Sequence, residues 1–220
     1  MRIAIMQPYF LPYAGYFRLF HETDLFVIYD CVQFIRRGWI HRNRFHNANG
    51  ELTYLTLPLV KAPQEALITE LAFADDASLR MQEQQNKLPL FKQASYLHTD
   101  YQKAMMQFSH HPVAYITQLL KLCCDTLQLP FNIAYSSALN LPKEIKGQDR
   151  IIAIAKHFHA DLYINPPGGK DLYDATTFKQ HNIALQFLPD YLGSYESILS
   201  RILSEDISIL RQEISTQGTA

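Results

Sequence analysis

Four arginines and the only tryptophan of the chain are concentrated in a short stretch without aspartate or glutamate. The stretch 35–49 holds Arg36, Arg37, Trp39, Arg42 and Arg44. Guanidinium groups donate paired hydrogen bonds to phosphates, and an indole ring stacks on a base or sugar ring. The pattern therefore predicts a clamp for an anionic ligand such as a diphosphate. A solvated basic loop anchored by one tryptophan is the structural alternative.

A second group of candidate residues follows a short apolar run that ends at Gln7 and Pro8. Gly15 comes after a loop rich in proline and aromatic residues, at the start of a predicted helix. A glycine at this place lets a phosphate approach the backbone amides of a helix start, where negative charge is favoured. The alternative is a strand ended by proline whose aromatic side chains pack on the core. The aromatic candidates are Tyr9, Tyr13 and Tyr16.

Two further candidates follow predicted strands. Asp30 ends the second strand, where its carboxylate is suited to bind a sugar hydroxyl or to act as a base toward an amine; a turn-forming aspartate is an equally weighted alternative. The segment Gly168, Gly169, Lys170 and Asp171 follows another strand. Its glycines permit close backbone approach and its lysine is suited to a phosphate. Because it lacks the spacing of a Walker loop, a plain turn is the alternative.

These candidates need a scaffold that brings strand ends together. Strand, loop, short helix and strand at 3–29 form a βαβ unit, which favours a parallel sheet. Helical signals dominate 76–128, return at 149–158 and continue from Ser197 to near Gly218. We therefore predict one Rossmann-like α/β domain over 1–220, with a mostly helical insertion at about 76–128. Apolar runs predict strands at 3–6, 25–29, 53–57, 67–73, 132–135, 161–164 and 184–188.

Composition excludes several classes of protein. Lysine and arginine total 20 and aspartate and glutamate 21, a balance that argues against a broad nucleic-acid surface. Three cysteines, two of them adjacent, favour reduced thiols in the cytoplasm over a disulfide framework. No apolar run reaches membrane-spanning length. The spacings of His41 with His46 and of His110 with His111 are not those of structural zinc sites, so no metal site is predicted.

The segments 3–17 and 24–44 together resemble the WbqC-like family of bacterial surface-polysaccharide gene clusters. The first reads IAIMQPYFLPYAGYF, and the second runs from Asp24 through Gln33 to Arg44; weaker similarity continues at 163–174 and 208–210. The family usually has an acid where this chain has Cys31, and another where it has Arg211. Its setting implies work on amino sugars that carry amide-linked acyl groups.

The order of elements at the N-terminus is also similar to that of pantothenate synthetase, a nucleotidyltransferase with a His-x-Gly-His signature. The corresponding residues here are Tyr13, Ala14, Gly15 and Tyr16, so both histidines are absent. This second resemblance implies ATP with Mg²⁺ as cofactor and capture of an activated acyl group by an amine.

Two functions follow as expectations. The first is a transferase or ligase that forms an amide or acyl bond on a nucleotide-linked amino sugar. The second is a non-catalytic protein that binds a nucleotide sugar or a partner enzyme of the same cluster. The expected catalytic residues are Asp30, Tyr13 and Tyr16. The expected substrate-binding residues are Gln7, Tyr9, Gly15, Gln33, Arg37, Trp39, Arg42, Arg44, Gly168, Gly169, Lys170 and Asp171.

Overall fold

A five-stranded parallel sheet forms the centre of the molecule. A computed structural model of the chain describes residues 1–109 and 111–218. The strand order is β5-β2-β1-β6-β7, and every neighbouring pair is parallel. The predicted Rossmann-like α/β class is therefore confirmed. The strands are β1 (Arg2–Met6), β2 (Leu25–Ile28), β5 (Ile133–Tyr135), β6 (Leu162–Asn165) and β7 (Ala184–Phe187).

Helices cover both faces of this sheet, because alternate strand residues point to opposite sides. Ala4 and Phe26 belong to one core cluster, whereas Ile5 and Val27 belong to the other. Residues of the second cluster come from two α-helices, and residues of the first come from six. The helices of the first cluster are α1 (Ala14–Glu22), α2 (Ala77–Gln85), α3 (Asp100–Met105), α4 (Pro112–Leu127), α7 (Ile198–Ser204) and α8 (Ile207–Thr216), and those of the second are α5 (Gly147–His157) and α6 (Ala175–Gln180).

Helices also make up the middle of the chain, as the sequence predicted. They are α2 (Ala77–Gln85), α3 (Asp100–Met105) and α4, with a short 3₁₀ helix at Pro89–Lys92. Proline at the first position of α4 fits a helix start, where its missing N–H is not needed. His111, the N-cap of α4, is described, whereas His110 lies outside the described residues.

An antiparallel hairpin lies apart from the main sheet. It consists of β3 (Arg42–His46) and β4 (Leu52–Thr56), with Arg44 opposite Tyr54. The sequence predicted β4 but no strand at 42–46. The strand is hidden because Asn43 and Phe45 are the buried residues of β3, so a polar amide takes a place where the pattern calls for an apolar side chain.

The predicted strand at 67–73 is wrong. This segment forms a 3₁₀ turn at Ile68–Glu70, and only isolated bridges flank it, from Leu67 to Gln33 and from Phe73 to Leu59. The Leu67 N–H donates to the carboxylate of Glu70 at 2.8 Å, which favours the turn. Ile68 and Leu71 are both buried, and their spacing of three fits one face of a turn rather than one face of a strand.

Candidate functional site

The carboxyl ends of the parallel strands all meet at one edge of the sheet. The chain runs from β1 outward to β2 and β5, then crosses back to β6 on the other side of β1. In open α/β sheets, ligands bind at this edge, near the strands between which the order reverses. Gln7 follows β1 at this edge and Pro166 follows β6. Two hollows lie at this edge, the first built from segments that follow β1, β2 and β7, and the second from segments that follow β2 and β5.

The first, which we call the aromatic hollow, is a pocket of about 300 Å³ with four aromatic rings in its wall. Arg44 is the charged residue among its lining residues. The hollow is at the small end of the range of ligand pockets, roughly 300–1,000 Å³, so its size suits one ring of a ligand. Its lining residues are Tyr9, Pro12, Tyr13, Trp39, Asn43, Arg44 and Tyr195.

Hydrogen bonds join the two segments that the sequence singled out. The Phe10 N–H donates to the Trp39 carbonyl at 3.0 Å. The buried Asn43 amide donates to the carbonyls of Phe10, at 3.2 Å, and Leu11. The turn after β1 and the arginine-bearing stretch therefore converge on one hollow, as the sequence predicted.

A third segment closes the hollow from the C-terminal part of the chain. The Ser197 hydroxyl donates to the Leu11 carbonyl at 2.9 Å, and the Ile198 N–H donates to the Pro12 carbonyl at 2.8 Å. These bonds hold Tyr195 beside Tyr13, with ring centroids 4.8 Å apart. Tyr195 was missed by sequence reasoning, because no local pattern links it to segments so far away in the chain.

Burial favours the neutral form of Tyr9 and Tyr13, two tyrosines of the hollow. Loss of solvation raises the pKa of Tyr9 and of Tyr13 above the usual tyrosine value, and a neighbouring tyrosine raises each further. Their hydroxyls therefore serve as hydrogen-bond donors and acceptors at neutral pH rather than as phenolate bases. The Arg44 guanidinium lies over the Trp39 ring, 5.3 Å from the ring centroid, so one face of the indole already makes a cation–π contact.

Two N-terminal candidates lie beneath the hollow rather than in its wall. Tyr16 is 3 % exposed, and its hydroxyl donates to the Gln7 carbonyl at 2.8 Å. Burial holds the pKa of Tyr16 well above its usual range. Gly15 is buried, and a Cβ added there would lie 3.0 Å from Cδ2 of Tyr13 and 2.8 Å from Cγ of Tyr191. Rings thus occupy the space where the sequence predicted ligand approach to the helix start.

The arginines of the stretch do not converge as a single clamp. Arg36 donates to the Ala62 carbonyl at 2.6 Å. Arg42 donates to the Arg37 carbonyl at 2.6 Å and lies over the Tyr54 ring at 4.2 Å. Only Arg44 among them lines the aromatic hollow. Within the described part of the chain, none of the four arginines forms an ion pair.

Asp30 is a buried acceptor for the segment after β5. One carboxylate oxygen accepts from the Ser136 hydroxyl and the Ser137 N–H, both at 2.9 Å, and the other accepts from the Ser137 hydroxyl at 2.7 Å. Asp30 is 2 % exposed. These partners lie 106 and 107 residues away along the chain rather than in a turn of Asp30's own segment, and they leave the carboxylate behind two serines rather than open to a substrate.

The second hollow, which we call the basic cavity, was not anticipated as a site from the sequence. It encloses about 690 Å³ beyond the ends of β2 and β5 and beside the start of α5. Gln33 is the only predicted site residue in its wall, and its amide donates to the Gln64 carbonyl at 2.8 Å. The other residues of the wall are Tyr29, Cys31, Val32, Glu65, Leu67, Thr69, Ser136, Ser137, Asn140, Leu141, Lys143, Ile145, Lys146, Gly147 and Arg150.

The glycine-rich segment after β6 lies in the 3₁₀ helix Pro167–Leu172. Gly168, Lys170 and Asp171 are exposed there, and none of them lines either hollow. Gly169 is buried, and an added Cβ would lie 3.2 Å from the Tyr173 ring and against the Asn165 amide. Close packing on the strand end therefore explains the second glycine.

Neither a cluster of metal-binding side chains nor a membrane-spanning helix is found among the described residues. No group of three or more histidine, cysteine, aspartate or glutamate side chains there is arranged to hold a metal ion. Among the described helices, none is both long enough and apolar enough to span a membrane.

Comparisons with known proteins place the chain in a family. The model of the WbqC-like protein family matches residues 7–210. A relative is the uncharacterized protein Rv1507c of Mycobacterium tuberculosis, 40% identical over 58 residues, a stretch that covers 26% of this chain and 25% of that protein. The match thus spans about a quarter of that relative's length. No solved structure matches. Since the family model covers nearly the whole chain, the protein belongs to the WbqC-like protein family.

Proposed function

We propose that the protein is a transferase or ligase of surface-polysaccharide synthesis, forming an amide or acyl bond on a nucleotide-linked amino sugar. The observation that carries this proposal is the aromatic hollow, where four rings and Arg44 converge at the carboxyl edge of the sheet. Aromatic faces stack on sugar rings and bases, and a guanidinium binds phosphate or carboxylate groups. Membership of the WbqC-like family supports the polysaccharide setting.

Five residues of the hollow have a role in this proposal. Trp39 and Tyr195 flank the ring of the ligand, and Arg44 binds an anionic group attached to it. The hydroxyls of Tyr9 and Tyr13 hydrogen-bond the ligand's hydroxyl or carbonyl groups, because their raised pKa values keep them protonated. Asp30 does not line the hollow, and its carboxylate is occupied by Ser136 and Ser137, so it has no part in this reaction. In a ligase, ATP with Mg²⁺ would supply the activation of the acyl group.

Product formation tests this proposal. Purified protein is incubated with UDP- and dTDP-linked amino sugars, glycine and ATP, and the sugars are analysed by mass spectrometry. We expect a sugar nucleotide whose mass has increased by one acyl group. Product from glycine that requires ATP identifies a ligase, whereas product from a glycyl thioester without ATP, with release of the thiol, identifies a transferase. Arg44→Ala should abolish the product, whereas Arg37→Ala serves as the control because Arg37 does not line the hollow. An unchanged sugar in every mixture, without binding, contradicts the proposal.

A non-catalytic binding protein is the second candidate. The observation that favours it is the presence of Tyr13 and Tyr16 where the related nucleotidyltransferase layout has histidines, since both tyrosines are neutral and one is buried. Thermal unfolding with each nucleotide sugar distinguishes the two. A raised melting temperature without any product supports the binding protein, and a raised melting temperature with product supports the enzyme.

A further inference from the structure

The basic cavity is large enough for a ligand of its own. Its volume of about 690 Å³ is more than twice the 300 Å³ of the aromatic hollow. It lies within the size range of small-molecule sites, roughly 300–1,000 Å³. It also lies at the carboxyl edge of the sheet, where α/β proteins bind ligands.

Positive charge predominates in the wall of the basic cavity. Lys143, Lys146 and Arg150 line it, against the single carboxylate of Glu65. In the described part of the chain, none of these three cations lies within 4 Å of a carboxylate. The three positive charges therefore remain available to an anion that enters the cavity.

Arg150 is the cation that most needs such a partner. It is 8 % exposed, and one terminal nitrogen donates to the carbonyls of Pro142 and Ile145 at 3.0 and 2.9 Å. Its other two nitrogens lie 3.4 and 3.3 Å from Sγ of Cys31. Sulfur is a weak acceptor, and carbonyl groups carry only partial charge. A buried guanidinium with these partners is hydrogen-bonded but not neutralised by a carboxylate, so an anion beside it is favoured.

The start of α5 adds a second source of positive potential. Lys146 is its N-cap and makes no side-chain capping bond, and the helix is 11 residues long. Gly147 has a φ of 54°, and the space beside its Cα is open. Asp149 stands in the first turn of α5 but does not line the cavity. Free amides and the helix dipole at such an end favour a phosphate.

The remaining wall is largely apolar, with Tyr29, Val32, Leu67, Leu141 and Ile145. We infer that the basic cavity binds an organic phosphate, with the phosphate between Arg150, the two lysines and the start of α5, and the organic part against this apolar wall. The inference is independent of the proposed function, because the two hollows share no lining residue.

Cys31 provides a built-in reporter of occupancy. It lines the cavity and is partly exposed, whereas Cys123 and Cys124 are buried, each with 0 % exposure. The rate at which N-ethylmaleimide alkylates Cys31 is measured by mass spectrometry with inorganic pyrophosphate or ADP present. Saturating ligand should slow this rate at least about fivefold, since a filled cavity excludes the reagent. Calorimetry measures the two dissociation constants directly, and ADP should bind more tightly than pyrophosphate because its nucleoside meets the apolar wall.

Matched variants locate the site. Lys143→Ala/Lys146→Ala should weaken pyrophosphate binding about tenfold, so that half-maximal protection of Cys31 requires about tenfold more pyrophosphate. Both lysines are exposed, so folding should be kept. Lys87→Ala/Lys179→Ala removes the same charge from exposed positions outside the cavity and should leave binding unchanged. Equal weakening in both double variants, or no binding to the unaltered protein, overturns the inference. Trp39→Ala should leave the protection intact, which separates this test from that of the proposed function.

Discussion

Glycine is needed at position 15 because neighbouring side chains pack against it, not because a ligand approaches its backbone. The rings of Tyr13 and Tyr191 meet beside its Cα, and their centroids are 5.3 Å apart. A side chain at this position would displace the Tyr13 ring, which forms part of the wall of the aromatic hollow. The glycine therefore affects ligand binding indirectly, because it allows the Tyr13 ring to occupy its position in the wall of the hollow.

Gly15→Ala tests this role. The added methyl group should lower the free energy of unfolding by about 1–3 kcal/mol, the usual cost of overpacking. Urea unfolding measures the loss. Gly168→Ala is the control, because no atom lies within 4 Å of a Cβ at that position, and its effect should stay within about 0.5 kcal/mol. Equal stability of the two variants would contradict the packing role.

His41 gives the molecule a residue-scale dependence on pH. Burial, helped by the nearby charge of Arg42, lowers the pKa of His41 to about 4 from the ordinary 6.5. Its Nδ1 is buried and has no hydrogen-bond partner among the described residues. As pH falls from 6.5 towards 4, the unfolded chain binds a proton at this histidine before the folded chain does. Stability should therefore decrease across this window.

The expected loss from His41 is roughly 1–2 kcal/mol, after allowing for its partial contact with solvent. It is measured as the difference between the free energies of unfolding at pH 7 and pH 5, in the unaltered protein and in His41→Gln. The variant should lose less stability on acidification, because it lacks the imidazole of His41. All other titrating groups are the same in both proteins. An identical loss in both would rule out this histidine as the source.

At this scale the sequence predicted part of the candidate site. Tyr9, Tyr13, Trp39 and Arg44 line the aromatic hollow as their residue types indicated. Asn43 was missed because an amide inside a basic stretch resembles a surface residue until its two carbonyl partners are known. The basic cavity was missed because Arg150 reads as an ordinary charged residue of an amphipathic helix.

At the scale of elements, one buried ion network joins α7 to α8. Arg201 of α7 is 5 % exposed, and it donates to Glu205 and to Glu213 of α8 at 2.7–2.8 Å. Tyr191 donates to Glu213 as well and packs against Gly15 and Tyr13. The network therefore ties the position of α8 to the back of the aromatic hollow.

Glu213→Ala should lower the free energy of unfolding by about 2–3 kcal/mol, because a buried guanidinium then keeps one carboxylate partner instead of two. It should also weaken ligand binding to the hollow, since Tyr191 loses its acceptor. Chemical denaturation and a binding titration measure the two effects. Gln212→Ala, at an exposed position of the same helix, is the control and should change stability by less than about 0.5 kcal/mol. A stability loss that leaves ligand affinity unchanged would show that the ion network does not influence the aromatic hollow.

The elements themselves were largely predictable. The three central strands of the parallel sheet are short and mostly buried apolar runs, the edge strands β5 and β7 are only partly buried, and such runs are visible without a structure. The failures share a cause. Leu67–Phe73 is apolar enough for a strand, yet Glu70 closes a turn within it, and β3 is polar enough for a loop, yet pairs with β4. In both segments, contacts with neighbouring parts of the chain override the local pattern.

At the scale of the whole molecule, the middle helices share a core with the sheet. Met81, Tyr101 and Leu119 belong to the same buried cluster as Ala4 and Phe26. We therefore expect the chain to unfold in a single cooperative transition, as one domain with a helical insertion does.

Two spectroscopic probes check this expectation. Fluorescence of the single tryptophan, Trp39, reports on the hollow, and far-ultraviolet circular dichroism reports on all helices. Their urea midpoints should coincide. Two separated midpoints would mean that the middle segment unfolds independently. The sequence alone supports the insertion but not this sharing of a core, because it contains no information on which helix faces which strand.

The arginines beside the aromatic hollow are held by carbonyl groups and rings rather than by acids, and this has a kinetic consequence. Their field extends into solvent and focuses anions toward the mouth of the pocket. The distance over which it acts shrinks from about 10 Å at 0.1 M ionic strength to about 3 Å at 1 M. Stopped-flow mixing should therefore show that raised ionic strength slows the capture of an anionic ligand while its escape rate stays nearly constant. The charges held in this way are those of Arg36, Arg42 and Arg44.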